Sequence, residues 1–110
     1  MTPWKNIMFK NGCVTAYIDS YPVSEGHLLF VPDDDDVEQI AMCFREALIE
    51  GRRLVNVGKC NGFNIGMNFG LSAGQTVLYP HVHLIPRRSG DSEDPAGGVR
   101  KCINGIGSYE

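Results

Sequence analysis

Hydrophobic and polar positions along the chain separate several short strands from one long amphipathic segment. Residues 14–19 and 27–31 are apolar, β-rich stretches bounded by turn-forming and proline residues, which is typical of strands. Residues 63–67 alternate between large apolar side chains and glycine or asparagine, and residues 76–85 form a further apolar stretch. The pattern therefore predicts four strands, two on each side of the long segment.

The long segment has the spacing of a helix. Between the second and third predicted strands, apolar residues recur every three or four positions, which places them on one side of a helix over residues 34–58. The four acids at 33–36 suit the start of this helix, where carboxylates cap free N–H groups and face the positive end of the dipole. The order β-β-α-β-β lacks regular βα alternation, so it predicts an α+β domain in which the helix covers an antiparallel sheet.

Composition bounds the domain organisation and the class of partner. A chain of 110 residues with 43% hydrophobic residues has room for one core, so we expect one domain over 1–110, with its core at 13–88 and an irregular tail at 89–110. The net charge of −3 argues against binding nucleic acid through a basic face. Residues 1–10 lack the apolar centre of a signal peptide, and no apolar run approaches a membrane span. We therefore expect no membrane association and a cytoplasmic location.

The four cysteines give no sign of a metal or redox motif. Cys13, Cys43, Cys60 and Cys102 are far apart, and no two of them form a CxxC pair. We interpret them as ordinary thiols.

Two of the three histidines stand two positions apart in the last predicted strand. Alternation along a strand places His81, His83 and Tyr79 on one face, with the two histidine Cα atoms about 6.6–7 Å apart. Both rings could then reach one bound group. Three interpretations are open: structural histidines, a metal site with His27 as third ligand, and catalysis in which a neutral imidazole attacks phosphorus.

Four separated segments resemble the histidine-triad (HIT) family. GQTVLYPHVHLIPRR resembles its signature, in which His-φ-His-φ-His-φ-φ (φ, hydrophobic) follows Gly-Gln-Ser/Thr-Val, and AYIDSYPVSEGHLLFVP resembles its first half. MNFGLSAGQT is similar to the loop before the motif, and GDSEDPAGGVR to the ends of some bacterial members. The resemblance implies a HIT-like α+β fold, with an antiparallel sheet of about five strands and one long helix. It also implies a homodimer that forms through residues 63–67 and the helix.

The resemblance further implies a nucleotide site that acts at an α-phosphate. His81, in the middle triad position, would be the nucleophile, and His83, in the third, would contact the phosphate. An imidazole with the ordinary pKa of about 6.5 is largely neutral at pH 7 and can attack without prior activation. Tyr79 stands where the family has its first histidine. The other matching positions are Thr76, with a catalytic role, and Asp19, Asn68, Gln75 and His27, which with Tyr79 would bind nucleotide or phosphate.

These positions predict an enzyme whose partners are small nucleotides. We expect a hydrolase that cleaves dinucleoside polyphosphates or nucleoside phosphoramidates through a covalent nucleotidyl-histidine. The alternative is a nucleotide-binding protein with weak or no catalysis, because Tyr79 replaces the first histidine. We expect no bound metal and no tightly bound cofactor; Mg²⁺ would arrive with a polyphosphate substrate. Arg87 and Arg88, at the end of the strand, are typical of a solvated edge rather than of phosphate ligands.

Overall fold

Five strands and one long helix make up the protein. In the computed structural model, which describes residues 2–104 and 106–107, they are β1 (Ile7–Asn11), β2 (Val14–Ile18), β3 (Leu28–Pro32), α1 (Val37–Asn56), β4 (Gly62–Gly66) and β5 (Val82–Arg87). The strands form one antiparallel sheet in the order β1-β2-β3-β5-β4, and α1 packs on one face of it. The predicted α+β class, with about five antiparallel strands and one helix, is confirmed.

The acids before α1 cap the helix, as the sequence predicts. The Asp36 carboxylate accepts a hydrogen bond from the Gln39 backbone N–H at 3.2 Å, and the Gln39 side chain accepts one from the Asp34 N–H at 2.8 Å. The helix therefore begins at Val37 rather than at 34, because Asp36 is in an extended conformation as its N-cap. It ends near Gly58, whose φ of +80° turns the chain out of the helix.

The core lies between α1 and one face of the sheet. Side chains alternate along each strand, so every second residue of the three central strands points toward the helix. Phe30, at the centre, is fully buried and has the Phe9 ring at its edge, with the ring centroids 6.0 Å apart. The buried residues of this cluster are Val14, Ala16, Leu28, Phe30, Cys43, Ala47, Leu54, Cys60, Val82 and Leu84.

The first strand is absent from the sequence prediction. Ile7 and Met8 are 61% and 51% exposed, so β1 lacks the buried alternation that marks the other strands. The turn at Asn11 and Gly12, where Gly12 has a φ of +59°, joins β1 to β2 as a hairpin. β1 therefore forms because β2 offers it an edge to pair with, a tertiary cause that periodicity does not reveal.

The last strand is shorter than the sequence predicts and ends later. Residues 76–81 are irregular, and β5 runs from Val82 to Arg87. The Gln75 side chain holds this irregular segment before β5 by donating to the carbonyl oxygens of Val77 and Leu78, at 3.0 and 2.9 Å. These contacts use carbonyl groups that a strand would offer to its neighbour.

The predicted irregular tail is partly ordered. It contains a short 3-10 helix at Gly98–Cys102, which contacts β4. A Cβ at Gly107 would lie 2.4 Å from the carbonyl oxygen of Arg100, so the returning chain passes too close for any side chain. Within the tail, residues 105 and 108–110 lie outside the described residues.

The cysteines are free thiols, as expected. Cys43 is buried under the sheet, and its burial, followed by the nearby Cys13 and Glu46, raises the pKa of its thiol to about 12. In the described part of the chain, no helix has both the length and the apolar character needed to cross a membrane.

Gly51 tests the contact between α1 and β4. A Cβ there would lie 2.9 Å from the Phe63 ring, whereas a Cβ at Gly62 meets nothing within 4 Å. Overpacking costs about 1–3 kcal/mol and exceeds the helix gain of about 1 kcal/mol from glycine to alanine. We expect Gly51→Ala to lower the free energy of unfolding by about 1 kcal/mol in urea denaturation, and Gly62→Ala to change it by less than about 0.5 kcal/mol. An increase in stability for Gly51→Ala would show that the contact is loose.

Candidate functional site

The histidines lie on the sheet face that α1 leaves uncovered. His83 of β5 pairs with Leu29 of β3, which in turn pairs with Tyr17 of β2. Leu29 and Val31 point to this face, yet they are only 3% and 6% exposed, so the face is closed over its centre. The histidines therefore lie on a face whose centre is largely withdrawn from solvent.

The His81 ring is held by one backbone hydrogen bond. Its Nδ1 lies 2.9 Å from the carbonyl oxygen of Tyr79, and the residue is 8% exposed. A carbonyl oxygen only accepts hydrogen bonds, so Nδ1 carries the ring proton when the ring is neutral. The lone pair is then on Nε2, which is the state required of a nucleophile.

A series of hydrogen bonds through His27 orients His83. The Val23 backbone N–H donates to Nδ1 of His27 at 3.2 Å, so the neutral His27 ring carries its proton on Nε2. This Nε2 lies 3.0 Å from Nδ1 of His83 and 3.2 Å from the Asp19 carboxylate, which share the proton. His83 accepts at Nδ1 and therefore has its own N–H at Nε2. His81 thus offers a lone pair and His83 a donor.

Burial keeps the hydrogen-bonded His27 and His83 rings neutral. Desolvation, with smaller contributions from His81 and His27, lowers the pKa of His83 to about 4, although Asp19 opposes this effect. Desolvation also lowers the pKa of His27, although the Asp19 carboxylate acts to raise it. Both rings are neutral at pH 7, and the contact between His27 and Asp19 is a hydrogen bond rather than an ion pair. Asp19 also accepts from the Tyr21 N–H at 2.8 Å, so it braces this loop; contact with a ribose stays a prediction.

The Tyr79 hydroxyl is hydrogen-bonded to the end of β3, and its binding of nucleotide or phosphate stays a prediction. The phenol oxygen lies 2.8 Å from the carbonyl oxygens of both Pro32 and Asp33, which share its single proton. The hydroxyl proton is therefore used by backbone carbonyl groups at the end of β3. The Tyr79 carbonyl group, which any residue would supply, is the partner of Nδ1 of His81.

The remaining predicted positions lie around this centre. Gln75 is buried and accepts from the Gly70 N–H at 2.8 Å, in addition to its two donations to the loop, so it is a structural residue. Thr76 is exposed and Asn68 is half-buried; their catalytic and phosphate-binding roles stay predictions. Arg87 pairs with Asp91 at 2.9 Å, and Arg88 donates to backbone carbonyls at the edge of the sheet.

The only metal-ligating group found in the described residues differs from the one considered from sequence. Asp19, His27 and His83 have ligand atoms within 4.8 Å of one another, whereas His81 is not part of the group. A cation there would need a lone pair on Nε2 of His27, the nitrogen that carries the proton while Val23 donates to the other. The donor set therefore fits a hydrogen-bond chain better than a metal centre.

Sequence reasoning missed two aromatic residues at the site. The Trp4 ring lies 4.8 Å from the His81 ring and 6.2 Å from that of Tyr17, measured between centroids. Trp4 precedes the first strand, in a segment with no periodic pattern. Its one sequence signal is that it is the chain's single tryptophan.

The hydrogen-bond chain predicts how the histidines titrate. Because the folded-state pKa of His83 is about 4 and its ordinary value is 6.5, the unfolded chain takes up this proton first as the pH falls. The stability that neutral His83 contributes is complete above pH 6.5 and is lost as the pH falls through 4. We expect the Cε1–H signal of His83 in NMR to titrate below pH 5, and the His27 nitrogens to show the Nε2–H form. A His83 signal that titrates at 6.5 would contradict this account.

Comparison with known proteins identifies a family and several relatives of this chain. The HIT domain family matches residues 4–90. The AP-4-A phosphorylase of Mycobacterium tuberculosis (strain ATCC 25618 / H37Rv) is 35% identical over 96 residues, which cover 78% of this chain and 48% of that protein. The asymmetrical bis(5'-nucleosyl)-tetraphosphatase of Schizosaccharomyces pombe is 27% identical over 92 residues, covering 77% and 50%. This chain thus spans about half the length of these two relatives.

A solved structure shows the same fold. The crystal structure of a Zn-bound histidine triad family protein from Mycobacterium smegmatis superimposes with a TM-score of 0.71 and 29% identity, over 78% of this chain and 68% of that one. The family match begins at residue 4, so it includes Trp4 and β1, which lie outside the resemblance seen in the sequence motifs. With most of its length matched and the same arrangement of sheet and helix, this protein belongs to the HIT domain family.

Proposed function

We propose that this protein is a nucleotidyl hydrolase or transferase that acts at the α-phosphate of dinucleoside polyphosphates or nucleoside phosphoramidates. The observation that carries the proposal is the hydrogen bond from Nδ1 of His81 to the Tyr79 carbonyl at 2.9 Å. This bond leaves an oriented lone pair on the opposite nitrogen. The names of the phosphorylase and the tetraphosphatase among the relatives support the same substrate class.

The reaction has two displacements at phosphorus. In the first, Nε2 of His81 donates its lone pair to the α-phosphorus, and the bond to the leaving group breaks with its electron pair on the leaving atom. In the second, an acceptor oxygen attacks the same phosphorus, and the electrons of the P–N bond return to the ring. His83, with its Nε2–H, is the donor for a phosphoryl oxygen as negative charge develops.

This chemistry uses the chain's own side chains. No tightly bound cofactor is required for either displacement, and Mg²⁺, where present, would come with the polyphosphate. Because the acceptor is water in a hydrolase and phosphate in a phosphorylase, the second step decides the product. With diadenosine tetraphosphate, water gives AMP and ATP, whereas inorganic phosphate gives ADP and ATP.

Removal of the nucleophile tests the first displacement. We expect His81→Asn to lower kcat/KM for diadenosine tetraphosphate on the order of 10³-fold or more, because no other group forms the covalent bond. Rapid quenching of the wild-type protein with substrate labelled at the α-phosphate should place the label on His81. Product analysis with and without added phosphate identifies the acceptor in the same experiment.

Two controls keep this test specific. Thermal unfolding of His81→Asn establishes that the fold is retained, and Arg88→Lys, at the sheet edge, should keep near-normal turnover. The alternative is a nucleotide-binding protein with weak or no catalysis, a reading motivated by Tyr79 in the first triad position. Saturable AMP binding without label on His81, together with a large gain of activity in Tyr79→His, would favour that alternative over the enzyme.

We also propose that the protein forms a homodimer through α1 and the outer edge of β4. Phe44, Leu48 and Val55 are 38%, 46% and 36% exposed and lie on one side of the helix. This side is next to Gly51, which contacts β4. Since β4 ends the sheet of the described strands, the apolar stripe and the strand edge form one surface.

A charged residue placed among the exposed apolar side chains of α1, at Leu48, tests whether this surface forms the dimer interface. We expect Leu48→Glu to give a monomer in sedimentation velocity, because a dimer would bury the carboxylate. Met42→Glu is the matched control, since Met42 is similarly exposed, at 41%, on another side of the helix and should leave the dimer intact. A monomeric wild-type protein at micromolar concentration would contradict the proposal.

A further inference from the structure

The single tryptophan of the chain lies against the proposed nucleophile. The ring centroids of Trp4 and His81 are 4.8 Å apart, with an angle of 54° between the ring planes. The segment that carries Trp4 is tied to the sheet at its far end, where the Asn6 carbonyl accepts from the Ile18 N–H at 2.8 Å. Trp4 is itself half-buried and also contacts Tyr17. This contact is therefore built into the fold.

The reaction places a positive charge on the His81 ring. When Nε2 gives its lone pair to phosphorus, the electron pair of the breaking bond leaves with the departing group. Nδ1 keeps its proton because it donates to the Tyr79 carbonyl. The ring of the covalent intermediate is therefore a cation, and it is 8% exposed in the free protein, so water solvates it poorly.

We propose that Trp4 is a positioning residue whose indole stabilises the cationic His81 ring during nucleotidyl transfer. A cation over the face of an indole, within about 6 Å of its centroid, is attracted by the ring, and the attraction is stronger where water is excluded. The tilted contact between Trp4 and His81, at 4.8 Å, is within this distance. Among the ring contacts of His81 in the described part of the chain, the contact with Trp4 is the shortest, at 4.8 Å, and the His83 ring follows at 5.2 Å. The inference rests on the proposed function, because the cation forms only if His81 attacks phosphorus.

Fluorinated tryptophan tests this role without changing the shape of the site. Because the chain has one tryptophan, growth on 5-fluorotryptophan or 5,6,7-trifluorotryptophan modifies Trp4 alone and progressively weakens the negative face of its ring. We expect kcat/KM for diadenosine tetraphosphate to fall stepwise, by about threefold to thirtyfold for the trifluoro protein, which is the range for cation–π contacts. The affinity for AMP should stay unchanged, because it forms no bond to His81.

A second measurement does not depend on turnover. Acylation of His81 by diethyl pyrocarbonate also places positive charge on the ring, so its rate, followed by mass spectrometry, should fall in the same order across the fluorinated proteins. Trp4→Leu, which keeps apolar bulk without the ring, should resemble the trifluoro protein in both assays. Rates that are unaffected by fluorination but lowered in Trp4→Leu would show that Trp4 is only a wall, and would overturn the proposal.

The outcomes separate this inference from the proposed function. Turnover and label on His81 in the unmodified protein, with no response to fluorination, would leave the proposed function standing and remove the role of Trp4. Absence of turnover in the unmodified protein would remove the proposed function, and with it the catalytic role of Trp4, even if the acylation rates respond to fluorination.

Discussion

The antiparallel pairing of β3 with β5 is the constraint on which the rest of the structure depends. Three residue pairs form it, and the central one places Leu29 beside His83. On the helix side, the same register brings Phe30 next to Val82 in the core. On the other side, it brings His27, just before β3, within 3.0 Å of His83. A shift of one residue would reverse both faces at once.

On the sheet face opposite α1, polar side chains are buried, and hydrogen bonds must offset the free-energy cost of removing them from water. His27 and His81 are 4% and 8% exposed, values typical of apolar side chains. Their ring nitrogens have backbone partners, the Val23 N–H and the Tyr79 carbonyl. Because one partner donates and the other accepts, the two rings are held in opposite proton arrangements. Backbone groups that the fold already requires therefore decide which nitrogen of each ring carries the proton.

Much of the fold could be predicted because its signals are local. The helix follows from apolar spacing and from the acids at its start, of which Asp36 is the cap. β1 could not be predicted, since it is exposed and forms only against β2. The predicted strand at 76–85 was wrong over its first half, because the Gln75 side chain binds the Val77 and Leu78 carbonyl groups and the Tyr79 phenol bonds to the end of β3, contacts that apolar periodicity does not reveal.

At the candidate site too, some features follow from the sequence and others only from the tertiary structure. The amino-acid sequence alone was enough to single out His81 and His83 as candidates, because two imidazoles at alternate positions of a predicted strand have no simple role in a core. It could not reveal that the Tyr79 phenol bonds to β3, that Asp19 lies beside His27, or that Trp4 lies on His81. The Tyr79 and Trp4 contacts join residues 46 and 77 positions apart, and only the packing of the sheet brings them together, whereas Asp19 and His27 are joined by a short loop. Residue type thus settled which chemistry is available, while tertiary structure decided where each proton and each ring lies.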